Sequence, residues 1–148
     1  MAWPDRVVMA PALSRRARSA ARWLLGVFFV LAGANHFANS GFYVAIMPPW
    51  LPWHLELVWL SGVAEIVLGA MVLFRRTQVL GGWGLIALCL AVFPANVHMA
   101  LHPELFPQFS PLLLWLRLPL QVAALAWIWW STLSAAARPT RFAFRNLR

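Results

Sequence analysis

Glu65 and Arg117 are charged groups set where a charge is least expected. Glu65 closes the stretch Ser61-Gly62-Val63-Ala64-Glu65 inside a long apolar run, and Arg117 lies between Leu116 and Leu118 in another. An arginine at the centre of a membrane helix costs ~2.5–3.5 kcal/mol on insertion scales, and a carboxylate partner is the simple way to offset it. The expectation is therefore a Glu65–Arg117 ion pair, with Gln121, Asn96, His36 and Asn35 as the surrounding polar groups. Such a set could hold a carbonyl-bearing ligand, carry a proton, or lock neighbouring helices together. Simpler readings stand beside these. Arg117 could extend its stem to the head groups, and Glu65 could be a protonated side chain that joins two helices. The pattern assigns no catalytic residue. No metal site is expected, because no histidine pair at i, i+4 falls inside a run; His98 and His102 have that spacing but straddle a run's end.

These groups need elements to position them. The chain has 148 residues and is 62% hydrophobic, well above the ~45–50% of soluble domains. Four apolar runs lie at about 20–38, 55–74, 78–101 and 111–137. A membrane-spanning helix needs ~20 such residues, and backbone groups in hydrocarbon must be satisfied within their own segment. The fold class expected is an all-α integral membrane four-helix bundle (20–137), flanked by basic tails at 1–19 and 138–148. All twelve basic residues are arginine. Arg6, Arg15, Arg16, Arg18 and Arg22 precede or open the first run, Arg75 and Arg76 separate the second and third, and Arg138, Arg141, Arg145 and Arg148 follow the fourth. The other two connections contain none. By the positive-inside rule both termini are cytoplasmic, in a bacterial inner membrane.

The net charge of +8 is thereby absorbed by topology and by attraction to anionic lipid, so no nucleic-acid partner is expected. Cys89 is the single cysteine, which excludes an internal disulfide or a thiolate cluster; in an apolar run it reads as a core side chain. Ser14-Arg15-Arg16 resembles the start of a twin-arginine signal, with Ala32-Gly33-Ala34 as a cleavage site. Arg18 and Ser19 stand where such a signal is apolar, so the segment reads as a retained helix.

At ~1.5 Å of rise per residue, Glu65 and Gln121 both lie ~15 Å from the outer ends of their runs, with Arg117 one turn above Gln121 and Asn96 and His36 shallower. The polar groups thus gather in the outer half. Ser61, Gly62, Glu65 and Gly69 share one face of the second run, and Gly26, Gly33 and His36 share one of the first. Small residues on a face let helices approach closely. Pro94 and Pro119 free the carbonyls of Leu90 and Trp115. Tyr43, Trp50 and Trp53, among Pro48, Pro49 and Pro52, suit the head-group level.

Gly33-Ala34-Asn35-His36-Phe37, Phe42-Tyr43 with Ile46-Met47-Pro48, Ser61-Gly62-Val63-Ala64-Glu65, Phe93-Pro94-Ala95-Asn96-Val97-His98 and Arg117-Leu118-Pro119-Leu120-Gln121 together resemble the DoxX-like family of small bacterial membrane proteins. The resemblance covers roughly residues 22–130. It implies a four-helix membrane bundle whose relatives include subunits of a thiosulfate:quinone oxidoreductase and assembly factors. The absence of a cysteine pair argues against dithiol–disulfide exchange. No flavin, haem or nicotinamide motif is present, so no cofactor is evident; the polar set would admit a quinone or a similar lipophilic molecule. The function expected is that of an accessory component of a membrane redox system, with the lipid bilayer, another membrane or periplasmic redox protein, or a second copy as partner. The alternatives are a non-enzymatic assembly factor and, third, a small transporter.

Overall fold

The computed structural model describes residues 6–134, with side chains from residue 15 onward, so the tail expected at 138–148 and the end of the fourth run lie outside the described residues. Every regular element among them is helical: α1 (Arg6–Ala38), α2 (Ser40–Ala45), α3 (His54–Leu73), α4 (Gln78–Leu101) and α5 (Pro111–Ile128). A short 3-10 turn, Pro103–Leu105, precedes α5, and a π-helical segment, Trp129–Leu133, extends it. Four helical segments are long and apolar enough to cross a membrane: Arg15–Ala38, His54–Leu73, Gln78–Leu101 and Pro111–Leu133.

Two boundaries differ from expectation. The first helix begins at Arg6, so much of the segment taken as a basic tail, 1–19, is helical. Its alanines and arginines are strong helix formers, and charge at a helix end does not interrupt the backbone ladder. The second difference is the π-helical turn. Ser131, Thr132 and Ser134 return their hydroxyls to the carbonyls of Trp127, Ile128 and Trp130, at 2.8, 2.6 and 2.7 Å. Such back-bonding competes for i−4 carbonyls. The Ser134 amide reaches one residue further, to the Trp129 carbonyl at 3.0 Å.

The most extensive packing is between α1 and α3, which run antiparallel and meet at two glycine pairs. A Cβ added at Gly33 would lie 2.5 Å from the Gly62 carbonyl oxygen, and one added at Gly69 would lie 3.0 Å from that of Gly26. The tight turn after α3 is closed by Thr77, whose hydroxyl donates to the Met71 carbonyl at 2.7 Å. It returns the chain antiparallel into α4, which packs on α3 and then on α5. The π-helical segment folds back to meet α4 and α1. Two dry clusters result. Leu25, Phe29, Val72, Leu85, Cys89 and Ile128 fill the arginine-rich end. Ile46, Met99, Phe106 and Leu114 fill the proline-rich end.

The outside of the bundle is also apolar. Leu24, Leu31, Leu60, Leu80, Leu90 and Leu120 are each more than half exposed. A contiguous apolar surface of that kind is not kept bare in water.

The glycine crossing yields the first prediction. Gly33→Val should lower stability by about 1–3 kcal/mol, the usual cost of overpacking, read as a drop in thermal midpoint in detergent. Gly41→Ala, where an added Cβ meets nothing within 4 Å, should cause no loss. A Gly33→Val protein that melts with the wild type would remove the crossing from the fold.

Candidate functional site

A cavity of about 280 Å3 lies between the two dry clusters. Its polar lining is His36, Tyr43, Ser61, Glu65, Asn96 and Arg117; its apolar walls include Phe28, Phe29, Val58 and Val92. Four of the six residues expected from the sequence therefore meet at one space. Gln121 and Asn35 stand just behind it.

The α1–α3 crossing builds one wall. His36 is buried, at 7% exposure. Its Nδ1 lies 3.0 Å from the Val58 carbonyl oxygen and 3.0 Å from the Ser61 hydroxyl, which itself donates to Val58 at 2.9 Å. A bare Nδ1 against a carbonyl oxygen would set two lone pairs together, so the network assigns the proton to Nδ1. Nε2 is then turned toward Glu65, 3.6 Å from its Oε2. That separation is too long for a hydrogen bond, and Oε2 is buried without a partner. The Tyr43 ring lies over His36 with centroids 3.7 Å apart. Asn35 donates to the Tyr43 hydroxyl at 2.9 Å and accepts from Asn39 at 2.5 Å. Asn35 thus holds the aromatic cover in place and does not line the cavity.

The opposite wall belongs to α4 and α5. Asn96 donates to Gln121 Oε1 at 2.7 Å, and Gln121 donates to the Cys89 carbonyl. The carbonyl that Pro94 leaves without its helical donor is that of the adjacent Leu90. Arg117 directs Nη1 to the Met99 sulfur at 2.7 Å.

The expected Glu65–Arg117 ion pair is not made. Both residues line the cavity, but the basic side chain nearest the Glu65 carboxyl is that of His36. The reason is helix order: α1, not α5, packs face to face with α3, so the carboxylate meets what α1 presents. Arg117 is half-buried and turned onto α4, so its stem does not simply extend to the outside. Cys89 is a buried core thiol. At the rim, the Glu104 carboxyl is held below the usual carboxylate range by its own backbone amide and by the His102 ring, 3.0 Å away. Among the described residues no cluster of three metal-ligating side chains forms.

Tyr43 and Ser61 are the site residues whose roles sequence alone did not disclose. Tyr43 reads as an interfacial aromatic and Ser61 as a small packing residue. Their signals are modest: Ser61 lies one turn before Glu65, and Tyr43 lies seven residues after His36.

Residues 25–132 match the model of a family described as Domain of unknown function (DUF8561). The chain belongs to that family. No curated protein and no solved structure matches it. The DUF8561 stretch contains Asn35, His36, Glu65, Asn96, Arg117 and Gln121 and ends before the C-terminal arginines. Family membership thus covers the whole cavity and assigns it no activity.

Double-mutant cycles test this arrangement. Asn96→Ala with Gln121→Ala should show coupling of about 0.6–1.7 kcal/mol, the range of hydrogen bonds between membrane helices. Glu65→Gln with Arg117→Gln should show coupling near zero. Strong coupling in the second cycle would restore the ion pair that the helix order disfavours.

Proposed function

We propose that this chain is a DoxX-like integral membrane protein with four spans and both termini in the cytoplasm, located in a bacterial inner membrane. Its cavity opens toward the outer half and binds a lipophilic ring with carbonyl groups, a quinone being the fitting class. The protein serves as an accessory component of a membrane redox system. The observation that carries the reading is one cavity with donors on one wall and an acceptor on the other. Asn96 and Arg117 supply N–H groups, and Glu65 supplies a buried oxygen without a partner.

Two apolar spaces adjoin that cavity. One, of about 270 Å3, shares Phe28, Phe29, Val92, Asn96 and Arg117 with it and reaches along α5 to Ala124. The other, of about 410 Å3, lies between α3 and α4 and shares Met47, Ser61, Val92 and Ala95. A polar ring in the centre could extend an apolar tail into either. Ligand sites of this kind combine apolar walls with a few placed polar groups. A quinone reduced there takes up two electrons and two protons. His36 and Glu65 supply a path for protons, and the electrons come from a partner protein. Exposed leucines on every long helix and the distribution of arginines support the membrane topology.

The Asn96–Gln121–Cys89 chain supports a second reading, an assembly factor whose polar groups lock α4 to α5.

Native mass spectrometry of protein gently extracted from its host membrane separates the two. A quinone-mass adduct lost in Glu65→Ala or Arg117→Ala is the expected outcome; a bare chain, or a complex with another protein alone, supports the assembly reading. Topology is checked by alkaline phosphatase fusions, which should be active after Trp50 and after Pro107 and inactive after Arg76.

A further inference from the structure

The arginine-rich end of the bundle holds a separate polar cavity of about 180 Å3. Arg15, Arg18 and Arg22 line it from successive turns of α1, Arg75 and Gln78 from the α3–α4 turn, and Ser131 from the π-helical segment. Among the described residues no carboxylate lines it. The chain has only four acidic side chains. Glu56 and Glu104 stand at the opposite end of the bundle, Glu65 stands at the central cavity, and Asp5 lies outside the described residues.

The positive-inside rule explains why arginines collect at this end. It does not explain the burial of Arg22. A snorkelling arginine keeps its head in water, whereas Arg22 is only 7% exposed. Arg22 donates to Gln78 Oε1, yet its Nε is buried without a hydrogen-bond partner, and so is the Nε of Arg18. The Arg18 guanidinium is held 5.7 Å from the centroid of the Trp130 ring, a cation–π distance. Four guanidinium groups facing one space repel each other, and each unsatisfied buried donor costs free energy. Both costs are removed by an anion with several acceptor oxygens. A tetrahedral phosphate suits arginine best, because the planar fork donates two parallel N–H bonds to it.

We propose that this cavity binds a phosphate-class anion, either the phosphodiester of an anionic phospholipid headgroup or free phosphate. The site joins α1 to the α3–α4 turn and the π-helical segment, so occupancy adds to the Arg22–Gln78 hydrogen bond and the Arg18–Trp130 contact in fastening this end of the bundle. It is independent of what the central cavity holds.

The test uses the full chain in neutral detergent, titrated separately with phosphatidylglycerol, phosphatidylcholine and inorganic phosphate and read by native mass spectrometry and thermal midpoint. Phosphatidylglycerol should bind as a single copy at least about tenfold more tightly than phosphatidylcholine. Arg22→Gln with Arg75→Gln should abolish that preference. Arg15→Gln, at an exposed position, should fold normally and weaken it in part. Phosphatidylglycerol binding with no response to inorganic phosphate identifies the headgroup as the ligand; a raised midpoint in phosphate identifies a free anion. Wild-type protein that binds both lipids equally and ignores phosphate would overturn the proposal without reference to any variant.

Discussion

The close crossing of α1 and α3 is the contact on which the rest of the molecule depends. Between helices that are apolar all round, burial in lipid gives no preference for one face over another, and close backbone contact decides the pairing. Gly26, Gly33, Gly62 and Gly69 remove the Cβ atoms that would hold the two backbones apart. The consequence is chemical as well as mechanical. With the axes this close, the His36 ring reaches the Val58 carbonyl and turns Nε2 toward Glu65. A larger residue at either glycine pair would move the imidazole out of reach of its acceptor.

The polar cavity exists because packing is divided. One dry cluster forms where α1, α3, α4 and the end of α5 converge at the arginine-rich end, and another where α2 and the turn before α5 cover the proline-rich end. Between them, side chains that cannot be buried without partners are left facing one another. The Asn96–Gln121–Cys89 chain satisfies most of its own groups, so α4 and α5 are fixed with or without a ligand. Glu65 Oε2 is not satisfied, and it is the buried acceptor on which the proposed binding rests. The arginine-lined space at the other end follows the same logic with the sign reversed. Donors outnumber acceptors there, as acceptors stand without donors near Glu65.

Much of the fold was legible in the sequence. Runs at 55–74 and 78–101 correspond to α3 and α4 within a residue, because apolar stretches of that length bounded by Pro52, Arg75 and Pro103 leave little freedom for their ends. The small-residue faces of Gly26, Gly33 and His36 and of Ser61, Gly62, Glu65 and Gly69 were readable from helical spacing alone. The start of α1 at Arg6 was not, since hydropathy marks where a helix is apolar and is silent where a helix continues through charged residues. The π-helical turn was not readable either, because it arises from three hydroxyls competing for carbonyls in one short segment.

Sequence by itself determined that Glu65, His36, Asn96, Arg117 and Gln121 gather in the half of their runs away from the arginine-rich end, because position along a run and a fixed rise per residue set how far each lies from that run's ends. Tertiary structure decided which of them meet. Each residue step turns a side chain by about 100° around the helix axis, and no local rule states which helix stands opposite. Glu65 faces His36 and not Arg117 because the glycine crossing sets α1, and not α5, against the carboxylate face of α3.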